Sequence, residues 1–157
     1  MNHFKYSAVA DVLVGPGTSE QLADLSASLG IRRALIVTDP GIIEFGLLEA
    51  ALKKFEAKSI SVKIYSDVIA DPPEAVVLDA VKTAQEFGCD GVIGFGGGSS
   101  MDVAKLLAVL IKGEQSLADI YGVDSITGSR LPLIQIPTTA GTGSEATMVS
   151  IITTGET

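Results

Sequence analysis

Three consecutive glycines, Gly96-Gly97-Gly98, stand between an apolar run that reads as a strand (residues 91–95) and a stretch that reads as a helix (residues 101–111). One glycine is enough to turn a chain from strand to helix. Three remove every Cβ from the junction, so the backbone can approach a bulky group closely and take positive φ at little cost. A strand that breaks into such a turn and then into a helix is half of a βαβ unit, and the first N–H groups of that helix have no intrahelical partner. The junction therefore points to a fold in which strands and helices alternate.

The rest of the chain follows the same pattern. Residues 7–14 have strand character and stop at Gly15-Pro16-Gly17, after which Thr18 and Gln21, at capping-box spacing, predict a helix to about residue 29. Residues 34–37 form the continuous apolar run expected of a strand covered on both faces, ending at Thr38-Asp39-Pro40-Gly41; helix is expected from there to about residue 57. Residues 59–65 alternate and read as a second core strand. In Asp71-Pro72-Pro73-Glu74 the expected roles are N-cap, proline at N1 and carboxylate at N3 of a helix running to about residue 87. A less regular stretch, residues 113–130, leads to a fourth strand at residues 133–136, and residues 148–157 read as a strand and turn leading onward, as at a cut within a larger protein.

Strands joined by helices in this order predict an α/β fold with a doubly wound, mainly parallel sheet, in which ligands bind at the C-terminal ends of the strands. The polar and glycine-rich residues gather at those ends: Asp39, Asp71, residues 96–100 and residues 138–144. The 157 residues, 46% hydrophobic and 19% charged, suit one domain with one substantial core. No apolar run approaches the roughly 18 residues needed to span a bilayer, and the N-terminus lacks the order of a secretory signal, so a cytoplasmic protein is expected. With 19 acidic against 11 basic residues and a net charge of -8, nucleic acid is not an expected partner; a phosphorylated ligand would have to be held by local N–H groups. The lone Cys89 excludes an internal disulfide and a thiolate-cluster metal site, and its context reads as buried.

The glycine turn departs from the ordinary Rossmann fingerprint. Gly94-Phe95-Gly96-Gly97-Gly98-Ser99 ends in serine, and no acid closes a strand about 20 residues further on. The turn also has a reading without ligand, with Ser99 or Ser100 as N-cap and Asp102 in the first helical turn. Asp39 ends an earlier strand, where a carboxylate could accept both ribose hydroxyls of an adenosine and repel a 2′-phosphate, besides capping the helix at Pro40. Asp71 is fully explained as a helix start. The run Pro137-Thr138-Thr139-Ala140-Gly141-Thr142-Gly143-Ser144-Glu145 carries more hydroxyls than a turn needs, enough to hold pyrophosphate, ribose or carboxamide.

The run Gly96-Gly97-Gly98-Ser99-Ser100-Met101-Asp102-Val103-Ala104-Lys105 resembles the GGGSxxDxAK signature of iron-containing (group III) alcohol dehydrogenases, and residues 137–145 resemble their second one. The resemblance covers the chain but corresponds only to the N-terminal, dinucleotide-binding α/β domain of that family. It implies a Rossmann-like domain over residues 1–157, without the all-helical metal and substrate domain that supplies one aspartate and three histidines to Fe²⁺ or Zn²⁺. It further implies NAD as cofactor: Gly97, Gly98 and Ser99 at the pyrophosphate, with Gly96 also among the cofactor-binding residues, Asp39 at the adenosine ribose, and Thr138, Thr139 and Thr142 along the adenine and nicotinamide-ribose side. Asp102 would lie near the carboxamide, with Asp71 and Ile151 at the fringe. The complete enzyme would exchange hydride between a small alcohol or aldehyde and NAD(H), and its N-terminal strand could pair across a homodimer. The only histidine is His3, so no multi-histidine metal site can be built from these residues, and this chain alone is expected to bind cofactor without catalysing. A dehydroquinate-synthase-like lyase, a polyol-phosphate dehydrogenase and a non-catalytic nucleotide-binding module are the competing readings.

Overall fold

A computed structural model describes residues 9–155. Four strands form one parallel sheet: β1 (Arg33–Val37), β2 (Ser61–Tyr65), β3 (Gly91–Gly96) and β4 (Leu133–Pro137), in the order β2-β1-β3-β4. The helices are α1 (Leu22–Ser28), α2 (Pro40–Glu44), α3 (Glu49–Ala57), α4 (Glu74–Phe87) and α5 (Gly98–Leu110). Side chains alternate along the two central strands, and each face has its own cover. Leu35 and Val37 of β1 and Val92 of β3 pack with Val77, Ala80 and Ala84 of α4 and with Val103 and Leu107 of α5. Ala34, Ile36, Ile93 and Phe95 face Leu22 and Ala23 of α1, Ile42 of α2, and Ala51 and Phe55 of α3. The expected doubly wound sheet is present, and it is parallel throughout.

Strand order places a crevice at the C-terminal edge of the sheet. From β1 the chain crosses outward to β2, and from β3 it crosses the other way to β4, so the winding reverses between β1 and β3. Helices leaving on opposite faces open a crevice at the C-terminal ends of those two strands. Thr38, fully buried, latches the crevice floor: its hydroxyl donates to the Phe95 carbonyl at 2.7 Å, and its N–H donates to the Tyr65 carbonyl at 2.9 Å.

Several local expectations are corrected. The strand expected at residues 7–14 is absent over its described part: residues 9–14 pair with no strand, and Val12, Leu13 and Val14 are exposed; residues 7 and 8 lie outside the described residues. The Thr18 hydroxyl does not cap forward but donates back to the Gly15 carbonyl at 3.0 Å, so the segment opens as a 3₁₀ turn before α1. The helix expected up to residue 57 is two helices. Gly46 at φ 65° ends α2 with a Schellman pattern, Gly46 N–H to the Ile43 carbonyl and Leu47 N–H to the Ile42 carbonyl. Residues 59 and 60 precede β2 instead of belonging to it, and β2 is an edge strand with alternate residues exposed, not a core strand.

At the fourth junction Pro73, not Asp71, is the N-cap of α4; Asp71 stands outside the helix at φ 48°. Pro73 pushes Pro72 before it out of the helical region, so α4 begins two residues later than the sequence pattern suggests. The segment after residue 148 is not a strand with a turn. It makes an isolated parallel bridge between Thr153 and Pro73, with Thr153 N–H donating to the Pro72 carbonyl at 2.9 Å and Glu74 N–H to the Thr153 carbonyl at 3.2 Å. Residues 156 and 157 lie outside the described residues.

Candidate functional site

The helix after the glycine turn begins earlier than the sequence suggests. α5 starts at Gly98 with Gly97 as N-cap, so neither Ser99 nor Ser100 caps it, and Asp102 falls beyond the first turn. The first bond of the helix runs from Met101 N–H to the Gly97 carbonyl, which leaves the N–H groups of Gly98, Ser99 and Ser100 ahead of it. Those donors carry the positive end of a 13-residue helix. An acidic chain can thereby hold an anion without a basic patch.

Gly96 shows why the turn excludes side chains. Its φ is 152°, and a Cβ there would lie 2.7 Å from Ser100 Oγ and 3.0 Å from Asp39 Oδ2. Positive φ and crowding both demand glycine. At Gly98 only space is at issue, because a Cβ would meet Thr142 Cγ2 at 3.0 Å; at Gly97 it would meet Thr139 Oγ1 at 3.7 Å. The two threonines therefore lie directly over the glycines, while Thr138, exposed at the end of β4, donates its N–H to the Gly96 carbonyl at 2.9 Å.

Asp39 caps α2 with one carboxylate oxygen and turns the other toward the glycine turn. Its Oδ1 accepts from Ile42 N–H at 3.2 Å, capping α2, and its Oδ2 faces Gly96 and the Ser100 hydroxyl, 3.5 Å away. The carboxylate is half-buried and borders an open crevice of about 290 Å³ lined by Val68, Ile69, Ala70 and residues 97–100.

The sequence-derived residues fall into two groups. Asp39, Gly96, Gly97, Gly98, Ser99, Thr138, Thr139 and Thr142 meet around one crevice at the reversal point of the sheet. Asp71, Asp102 and Ile151 are set apart from it. Asp71 is exposed and offers its carbonyl to the Thr153 hydroxyl at 3.1 Å. Asp102 is buried and bonded to Ser144 and to Ile151 N–H, and the Ile151 side chain points into solvent, 70% exposed. Sequence reading gives no role to Thr38, Ile69 or Ala70, and gives Ser100 only that of an N-cap. The first three follow strand ends whose neighbours are known only once strand order is known.

Among the described residues no group of three or more His, Cys, Asp or Glu is placed to hold a metal ion. His3 lies outside them. A metal centre does not fit the described residues. Nor is any helix of the described residues long and apolar enough to cross a membrane.

The family described as iron-containing alcohol dehydrogenase matches residues 10–157. The chain belongs to that family. It is 39% identical over 142 residues to long-chain-alcohol dehydrogenase 1 of Geobacillus thermodenitrificans, which takes in 88% of this chain and 36% of the relative. A solved structure of 1,3-propanediol oxidoreductase superposes with a TM-score of 0.93 at 28% identity, over 99% of this chain and 41% of that one. The sulfoacetaldehyde reductase of Bifidobacterium kashiwanohense, solved in complex with NAD⁺, superposes with a TM-score of 0.84 at 28% identity, over 98% and 41%. The chain thus spans about two-fifths or less of the length of these relatives.

Proposed function

We propose that this chain is the NAD-binding part of an alcohol dehydrogenase that passes hydride between a small alcohol or aldehyde and NAD(H). The reading rests on one observation: a side-chain-free turn, a helix N-terminus with free donors and a carboxylate converge on the crevice where the sheet reverses its winding. The N–H groups of residues 98–100 would hold the pyrophosphate, with the Thr139 and Thr142 hydroxyls beside it. Asp39 would accept the ribose hydroxyls of the adenosine and disfavour a 2′-phosphate by charge repulsion, selecting NAD over NADP. When bound, the nicotinamide supplies the carbon that takes or gives hydride. Residues of this chain would orient it and close one wall against water.

The Fe²⁺ or Zn²⁺ of the family reading belongs to residues outside this chain, so these 157 residues alone would bind cofactor without turning over substrate. A cytoplasmic location and a homodimer complete the proposal. Exposed Val12, Leu13 and Val14 are what a second copy would cover.

Calorimetric titration of the purified chain with NADH and with NADPH tests the reading. Selective binding of NADH is expected. A folded chain that binds neither would remove the dinucleotide assignment.

A further inference from the structure

The dinucleotide reading leaves a buried ion pair on α5 without a task. Asp102 is 6% exposed. Its Oδ1 accepts from the Ser144 hydroxyl at 2.9 Å and lies 2.8 Å from Lys105 Nζ, and its Oδ2 accepts from Ile151 N–H at 3.0 Å. The Lys105 ammonium donates to the Thr147 carbonyl at 3.4 Å, to the Thr147 hydroxyl at 3.3 Å and to the Val149 carbonyl. Withdrawing two charges from water is costly unless the remaining donors and acceptors are met. Every other partner of this pair lies in residues 144–151.

That segment has little else to place it. It contains no helix or strand, and Met148, Val149 and Ile151 are exposed. Beyond it Ile152 packs against the core, and Thr153 is bonded to Pro72, Glu74 and the Asp71 carbonyl at the start of α4. Residues 144–153 are therefore a strap running from α5 to the first turn of α4. Upstream the strap is continuous with Thr142, which lies against Gly98, and Ser144 N–H donates to the Thr142 hydroxyl at 3.3 Å.

We propose that Asp102 and Lys105 are positioning residues: a buried clamp that, through this strap, holds Thr139 and Thr142 over the glycine turn and so sets dinucleotide affinity without touching the ligand. The inference rests on the dinucleotide reading and replaces direct contact between Asp102 and the carboxamide. Both carboxylate oxygens are already bonded within the chain and the group is buried, so contacts inside the protein take up most of its acceptor capacity.

The test pairs NADH titration with backbone amide exchange read by NMR, in Asp102→Ala, Asp102→Asn and Lys105→Met. In Asp102→Ala, NADH affinity should fall about tenfold or more, the scale of losing hydrogen bonds to a charged group. Ile151 N–H should lose protection, while Val92 and Ile93 in the sheet keep theirs. Asp102→Asn should recover part of both, since the amide oxygen can still accept from Ile151 N–H. Loss of Ile151 protection with unchanged NADH affinity would overturn the clamp, as would lost affinity with Ile151 still protected, which would mean direct contact. No NADH binding by the folded unmodified chain would overturn the dinucleotide reading itself, and this inference with it. Should Asp102→Ala fail to fold, Lys105→Met and Ser144→Ala carry the same two readouts with the same expected directions.

Discussion

Thr142 Cγ2 occupies the place next to Gly98 where a side chain would begin, 3.0 Å from the position of a Cβ, although the backbone of Gly98 is helical and would accept any residue. Glycine is needed here for space, not for φ. A methyl group would push Thr142 by a few tenths of an ångström, and the branched carbons of valine would enter the volume in front of the helix N-terminus. Gly98→Ala is expected to weaken NADH about tenfold and Gly98→Val to abolish detectable binding. Both should unfold in urea within about 1 kcal/mol of the unmodified chain, because the first helical position tolerates most residues. Equal NADH affinity in all three proteins would show that nothing docks in front of this turn.

Asp39 caps α2 and is proposed to select NAD, and one substitution can separate the two. Asparagine is as good an N-cap as aspartate, so Asp39→Asn should keep the bond from Ile42 N–H and leave stability within about 0.5 kcal/mol. It removes the charge, so the preference for NADH over NADPH should shrink. Asp39→Ala should in addition lose about 1 kcal/mol of stability with the cap. Titrations with both cofactors check this, and an unchanged NADH preference in Asp39→Asn would move the selectivity elsewhere.

How far the site could be read in advance depended on whether its chemistry is local. The glycine turn and the acid at Asp39 follow from runs of a few residues, because strand, turn and helix cap are short-range patterns. Thr38 and Ala70 were not readable, since their roles come from β1 lying beside both β2 and β3, a fact of strand order that no local pattern carries. Asp71 was misplaced by one such pattern: D-P-P-E fits a cap, but the strap carbonyl of Thr153 takes the Glu74 N–H that a cap would otherwise meet. Gly46 is the opposite case: the glycine that ends α2 is a local signal, but it lies within a mostly apolar run, residues 42–55, that continues into α3.

Cys89 illustrates a consequence of burial. It follows Gly88, the left-handed C-cap of α4, and is 7% exposed; burial, with Asp90 adding to it, pushes the thiol from 9.0 up to about 11. It should therefore stay a thiol and react slowly with alkylating agents at pH 8, with the rate rising toward pH 11. The folded value exceeds the unfolded one, so this group's stabilising contribution is full below about pH 9 and is lost as pH rises through about 11. Cys89→Ala should flatten that part of the stability profile. Rapid alkylation of the folded chain at pH 8 would contradict the burial.

Gln135 ties β4 to α5 by a side chain that passes over β3. From β4 its side chain crosses Gly94 of β3 and donates Nε2–H to the Met101 carbonyl on α5 at 2.9 Å, leaving Oε1 buried and without a partner. The crossing is possible only because Gly94 has no side chain: a Cβ there would lie 2.0 Å from Gln135 Oε1 and 3.0 Å from the Ala104 Cβ. Gly94→Ala must evict the amide and break the bond to α5, and overpacking of this kind costs about 1–3 kcal/mol. In a Gln135→Ala background the amide no longer blocks the methyl and only the Ala104 Cβ still crowds it, so the double variant should be more stable than the sum of the two single losses by about 0.5 kcal/mol or more. Urea unfolding of the four proteins measures the coupling. Additive losses would mean that the glutamine and the glycine do not share the space, and that β4 is tied to α5 by other contacts.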